Sequence, residues 1–297
     1  MSFSSCKDCE PCRRGHTAHC YNFNSINFES APETFTFKEK SETSLSETTE
    51  PDIYGQFFGQ SSFSSWSIVR EDSIINVSGL VNSRDELQLY APLGCGIQTG
   101  AGSIINAAGA QPHDRAVVLG LGGVGLSAVM GAKIAGCQQI VGIDRHDNRL
   151  EMAKQLGATD VIKGDGEGGL PGLTQAVRSL TEGRGTNITV DTTGVPALIA
   201  EGIKMTAFKG KVLQVGTAPE TETLTLPIYE FMVSGKSFAG VVEGDVNPQT
   251  FIPRIIKWVQ DGQLPLQKIV NFYRAEDFDM AINDMKTGKT IKPILLW

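Results

Sequence analysis

From about residue 111 the chain settles into apolar runs of a few residues separated by helix-length segments. Residues 115–120 (RAVVLG), 139–144 (QIVGID), 160–163 (DVIK), 188–192 (ITVDT), 211–216 (KVLQVG) and 237–242 read as strands, being short, rich in Val and Ile, and bounded by polar turns. Helices are predicted between them at 124–135, 148–156, 173–180 and 196–208. Two more are predicted at 251–260 and 275–286, before a last short strand after Pro293. Strands apolar along their whole length, alternating with helices, predict a doubly wound parallel α/β sheet covered on both faces. Upstream the rhythm differs. Residues 55–81 interleave Phe57, Phe58, Phe63, Trp66, Ile68, Ile74, Ile75 and Val77 with Gly, Gln and Ser, which predicts short strands of a β-rich unit. Residues 29–51 are dominated by Glu, Ser and Thr without apolar periodicity, the composition of a long surface loop or a disordered segment.

A length of 297 residues suggests two domains, and 40% hydrophobic with 20% charged residues is ordinary for a folded chain. The 26 basic and 33 acidic residues leave a net charge of -7, the wrong sign for bulk attraction to a polyanion. Nucleic acid and anionic membrane surfaces are therefore not expected as partners. The uncharged stretch 116–132 is short for a membrane span and reads as a buried strand followed by a helix. The first residues lack the apolar core of a signal peptide, so a cytoplasmic protein is expected.

Four of the six cysteines fall in the first twenty positions, Cys6, Cys9, Cys12 and Cys20, spaced C-x2-C-x2-C-x7-C. The two-residue gaps let successive thiolates converge from a tight turn, and the seven-residue gap lets a loop return with the fourth. Four thiolates make a closed tetrahedral site, the pattern of structural zinc. An iron–sulfur cluster is the rival occupant, and incidental cysteines are the third reading. His16 and His19 lie inside this loop, are not needed as ligands, and are expected as exposed loop residues.

The segment Gly120, Leu121, Gly122, Gly123, Val124, Gly125 is a G-x-G-x-x-G between a predicted strand and a predicted helix. The first glycine permits the tight turn, the second lets the backbone approach a pyrophosphate, and the third lets the helix pack against the strand. The following helix N-terminus offers free N–H groups to phosphate oxygens. Asp144 ends the second strand nineteen residues after Gly125, where a carboxylate can accept from a ribose 2′-hydroxyl and repel a 2′-phosphate. NAD(H) is thus expected over NADP(H), with Arg145 and Arg149 as the residues that speak against it.

Together these features resemble the zinc-type medium-chain alcohol dehydrogenases, most closely the aryl- or benzyl-alcohol branch. The resemblance spans nearly the whole chain: beyond the cysteine lobe and glycine turn it includes GQFFGQSSF at 55–63, PLGCGIQTGAG at 92–102, GVVEGD at 240–245 and TIKPIL at 290–295. It implies a Rossmann NAD-binding domain over 106–244 and a GroES-like domain, with the zinc lobe, over 1–105 and 245–297. It implies cofactor contacts at Gly120, Gly122, Gly123, Val124, Gly125, Asp144 and Arg149. Val215, Gly216, Thr217 and Val241 to Glu243 would line the nicotinamide, Thr99 would lie beside it, and Lys292 would approach the phosphates. It further implies a homodimer joined through the last strand of the sheet.

Members of that family hold a catalytic zinc through a cysteine and a histidine preceding the lobe and a cysteine of the PLGCG segment. In this sequence only the last has a counterpart, Cys95, so the GroES-like domain is expected to be truncated and the chemistry to run without catalytic zinc. Taken by itself, Cys95 fits a relic, a buried apolar residue or a functional thiol in a remodelled pocket. The expected activity is hydride transfer between NAD(H) and a small aryl or conjugated carbonyl or alcohol, with Cys95, Thr99 and Glu243 as candidate catalytic residues. A non-redox enzyme such as a cyclase or isomerase, or an inactive relative, is the alternative.

Overall fold

The computed structural model describes residues 1–29, 36–37, 53–54, 57–59, 63–164 and 169–297. Six parallel strands form the central sheet: β1 (Arg115–Leu119), β2 (Gln139–Asp144), β3 (Asp160–Lys163), β4 (Thr186–Asp191), β5 (Thr206–Gln214) and β6 (Ser237–Gly240). Their order is β3-β2-β1-β4-β5-β6, so the chain reverses direction across the sheet between β1 and β4. That reversal opens a crevice at the carboxyl ends of these two strands, the position where doubly wound sheets bind their ligands.

Helices cover both faces. Helix α1 (Gly96–Gly102) precedes the sheet, and α2 (Gly123–Ala135), α3 (Asp147–Leu156), α4 (Gly169–Leu180) and α5 (Pro196–Met205) connect its strands. Val118 with Leu121, Leu126 and Met130 of α2 belongs to one buried cluster, while Val117 and Leu119 join Leu173, Val177 and Met205 in another. The alternation along β1 explains the split, since successive side chains point to opposite faces. Helices α6 (Ile228–Ser234), α7 (Pro248–Gln260) and α8 (Phe278–Lys286) follow, and β7 (Val270–Arg274) pairs in parallel with β8 (Lys292–Leu296) in a separate two-stranded sheet.

Three expectations are corrected. The helix predicted to 208 ends at Met205, because Thr206 already pairs with Thr186 and opens β5; a register shift over residues 207–210 follows before Lys211 pairs with Ile188. Residues 57–59 and 63–81 form no strand beyond an isolated bridge at Phe57. Their backbone groups close locally, as in the one-turn helix Glu71–Ser73 and the bonds Arg70 N to Gly59 O and Leu80 N to Val77 O. The acidic loop at 29–51 lies mostly outside the described residues, but Thr36–Phe37 pairs antiparallel with Ile53–Tyr54. Among the described residues no helix is long and apolar enough to cross a membrane.

Candidate functional site

The glycine turn sits at the crevice. Gly120 adopts φ +86, which a side chain would resist, and a Cβ on Gly125 would lie 1.8 Å from the carbonyl oxygen of Gly120. A Cβ on Gly122 would meet nothing within 4 Å, so the open side of the turn is at Gly122. Asp144 closes the adjacent corner: it is buried, accepts from Leu121 N at 2.7 Å and from His146 N at 2.9 Å, and has Arg149 Nη1 at 3.6 Å. The carboxylate therefore ties the turn to the end of β2 as well as facing the crevice. Across β4, Asp191 accepts from the backbone of Gly194 and from the Thr193 hydroxyl, while Gly216 after β5 packs backbone to backbone against Gly194. Val215 and Gly216 are half-buried there and Thr217 is exposed.

Helix α1 brings a second group of residues to the same crevice. Its glycines permit this: a Cβ on Gly100 would lie 2.0 Å from Val124 O, so α1 and α2 touch at their backbones. Cys95 precedes α1 and Thr99 stands one turn along it, with the Thr99 hydroxyl donating to Cys95 O at 2.8 Å. From the other side Glu243 reaches in, 5% exposed, with Oε2 at 2.9 Å from Gln98 Nε2 and 3.2 Å from Thr99 Oγ1. Burial pushes the Glu243 carboxyl above the ordinary carboxylate range, although bonds from Gln98, Cys95 and Thr99 oppose the shift. Cys95 opens onto the cleft surface, yet its sulfur is set among protein atoms. Burial, then the Glu243 charge and hydrogen bond, push the thiol up to about 12, with Lys292 acting in the opposite direction. Lys292 also passes within 3.7 Å of where a Cβ of Gly123 would stand, so it borders both halves of the crevice.

The structure thus sets Asp144 and Arg149 against the glycine turn, Lys292 against the turn at Gly123 and near Cys95, and Thr99 and Cys95 against Glu243, and it places Glu243 in the interior. Gln98 was missed in the sequence. It is fully buried, and its Nε2, with two hydrogens to give, lies 2.7 Å from Ser2 Oγ and 3.0 Å from Gly94 O besides Glu243, while its Oε1 has no partner among the described residues. The available signal was a lone amide within the small and apolar run PLGCGIQTGAG.

The cysteine lobe is a separate small core in which Phe3, Ala18 and Phe23 surround the thiols, with Phe58 packed against it. Sulfur atoms of Cys6, Cys9, Cys12 and Cys20 all lie within 4.8 Å of one another. Cys6 and Cys12 are 4.0 Å apart and Cys9 and Cys20 are 3.9 Å apart. A zinc ion with sulfurs at about 2.3 Å makes a tetrahedron with edges of about 3.8 Å, so the donor set fits such an ion. Backbone N–H groups of Cys9, Cys6 and Asn22 point at Cys6 and Cys20 sulfurs at 3.3, 3.4 and 3.4 Å, as suits thiolates. His16 is exposed as expected and His19 half-buried, but neither is idle: Nδ1 of His16 lies 2.8 Å from Asp245 Oδ2.

An open parallel sheet with a glycine turn at its switch point, joined to a four-cysteine lobe, defines a class, and comparison with known proteins agrees. Residues 123–261 match the zinc-binding dehydrogenase family model. The chain belongs to this family. It is 33% identical over its whole length to the geraniol dehydrogenase of Castellaniella defragrans, covering 76% of that protein. Among solved structures it superposes on the benzyl alcohol dehydrogenase of Acinetobacter calcoaceticus with a TM-score of 0.87 at 33% identity, over 99% of this chain and 76% of that one. A zinc-binding-domain alcohol dehydrogenase from Burkholderia ambifaria gives 0.88 at 33% identity, with the same coverage. The protein is an alcohol-dehydrogenase-like chain with a Rossmann sheet.

Proposed function

We propose that the protein is an NAD(H)-linked oxidoreductase that interconverts a small aryl or conjugated carbonyl compound and its alcohol. The observation that carries this reading is an adjacency: Lys292 borders the glycine turn at Gly123, one residue from the open position Gly122, and also acts on Cys95, which stands beside the buried Glu243 and Thr99. The relatives that act on geraniol and benzyl alcohol support the substrate class. In this reading residues 106–244 form the cofactor domain, and 1–105 with 245–297 the domain that carries the cysteine lobe and the substrate side. Zinc held by the four cysteines is structural. Cysteines kept reduced fit a cytoplasmic setting.

The nicotinamide supplies or accepts the hydride. The chain's own residues handle position and protons. Gly120, Gly122, Gly123, Val124 and Gly125 with the N-terminus of α2 hold the pyrophosphate, Lys292 offsets its charge, and Asp144 takes the ribose and disfavours a 2′-phosphate. Arg149 beside Asp144 borders the adenosine end, while Val215 to Thr217 flank the nicotinamide. Glu243, whose carboxyl burial raises so that it holds a proton more readily than an exposed glutamate, can pass that proton to Thr99, 3.2 Å away, as the Thr99 hydroxyl gives its own to the carbonyl oxygen and the C=O π bond gives way to the new C–H bond. Cys95 and Glu243 are fewer than the three protein ligands a catalytic zinc takes, so the described residues around them do not fit one.

Incubation with NADH and a panel of aromatic aldehydes and enones, following nicotinamide absorbance, tests the reading. NADH consumption that falls on Glu243→Gln, with NADH preferred over NADPH, is the expected result. Conversion of a small metabolite without any nicotinamide would replace it with a non-redox activity.

A further inference from the structure

The one-turn element Glu243–Asp245 runs through the left-handed region three times in succession, with φ of 50 at Glu243, 74 at Gly244 and 49 at Asp245. Glycine adopts this freely and aspartate tolerates it, but a glutamate there is strained, its Cβ crowding the following carbonyl oxygen. Such a run persists only where its surroundings hold it. Part of the hold is backbone packing: a Cβ on Gly244 would lie 2.6 Å from Gln98 O and 2.8 Å from Gly102 Cα. Asp245 N donates to Val242 O at 2.8 Å, and Asn106 Nδ2 donates to Asp245 O.

The side chains leave this turn in opposite directions. Glu243 goes inward to Gln98 and Thr99. Asp245 goes to the cysteine lobe, where Nδ1 of His16 stands 2.8 and 3.1 Å from its two carboxylate oxygens and Nε2 of His19 is 3.9 Å from one of them. A carboxylate only accepts, so His16 Nδ1 carries the hydrogen. The helix Thr17–His19 packs directly on the turn, between the second pair of cysteines.

We propose that Asp245 is a positioning residue of the crevice: anchored by His16 of the cysteine lobe, it holds the left-handed turn and so keeps the Glu243 carboxyl on Thr99 beside Cys95. The inference rests on the reading of Glu243 as the proton store. Asp245 itself is half-buried and outside the apolar clusters, so its loss frees the turn without opening the core. Released, Glu243 relaxes to right-handed backbone and its carboxyl leaves Thr99.

The test uses the full chain loaded with zinc, with NADH and benzaldehyde as substrates. Asp245→Ala is expected to lower kcat about tenfold while KM for NADH moves less than about twofold and zinc content is unchanged. His16→Ala, which removes the anchor from the other side, follows the same pattern. Asp245→Asn keeps an acceptor for His16 and a residue suited to positive φ, and restores kcat to within about threefold. In a Glu243→Gln background Asp245→Ala changes kcat by less than about twofold, because the two act as a unit. Equal losses in both backgrounds, or full activity of Asp245→Ala, would overturn the proposal. If the native protein consumes no NADH, the proton-store reading fails by itself. Hydrogen exchange of a peptide covering 241–250 then decides the hold on the turn: faster exchange in both anchor variants supports it, and unchanged exchange sinks it.

Discussion

Glu243 and the turn glycines show how single residues divide between fold and chemistry. Burial raises the Glu243 pKa in the folded protein, so the unfolded chain ionises first as pH rises. From that point the unfolded state binds fewer protons than the folded one, and the residue's contribution to stability falls until the folded carboxyl also ionises. Glu243→Gln removes this penalty. The difference in Tm between the variant and the native protein is therefore expected to shift in the variant's favour as pH rises from 5 to 7, below the range where Cys95 titrates; a pH-independent difference would contradict a carboxyl raised by burial. Gly122 and Gly125 separate in another way. Gly125→Ala drives a methyl into Gly120 O and is expected to cost about 3 kcal/mol or more in denaturant unfolding. Gly122→Ala meets open space, so it should leave stability within about 0.5 kcal/mol while weakening NADH binding measured by calorimetry.

At the scale of elements, the parts that could be read from the sequence are those whose physics is local. Strands β1 to β4 and helices α2 and α3 follow from apolar runs, glycine punctuation and period, and the cysteine lobe from spacing alone. Helix α1 was illegible because Gly96, Gly100 and Gly102 are poor helix formers; what selects them is the backbone of α2, which only the fold brings near. β7 was missed for a similar reason: VNFYR has mostly exposed side chains and becomes a strand only by pairing with β8. The interior place of Glu243 depends on three left-handed residues that no periodicity announces. Since the lobe's apolar cluster is separate from those of the sheet, its metal should be separable too. Native protein is expected to contain about one zinc per chain by elemental analysis, and Cys9→Ser to lose it, with the lobe opening to proteolysis while the sheet keeps its circular dichroism. Visible charge-transfer absorption with iron in place of zinc would overturn the occupant, and two zincs per chain would require a second site.

For the whole molecule, the sheet ends in two edges, β3 and β6, and β6 is the barer of the two. All four residues of β6 are exposed, and nothing pairs with its outer side among the described residues. Leading into it and packed on β5, α6 turns Ile228, Tyr229, Met232 and Val233 outward, with Ile228 84% and Tyr229 74% exposed. Their spacing puts them on one helical face, so this is a patch rather than scattered residues. An open strand edge next to an apolar helix face is an aggregation hazard unless covered, and a second copy can cover both at once because a two-fold axis pairs the edge with itself. The aromatic residues Phe57, Phe58 and Trp66 make a less continuous surface: Phe58 packs on Phe23 and Phe28, while Phe57 and Trp66 stay exposed. Light scattering at micromolar concentration is therefore expected to give two chains per particle, joined at β6 and α6. The double variant Ile228→Asp, Met232→Asp places charge in that contact and should yield monomers that still bind NADH, since both residues are remote in sequence from Gly120–Gly125 and Asp144. A native protein that stays monomeric across the concentration range, or a double variant that remains dimeric, would move the interface elsewhere.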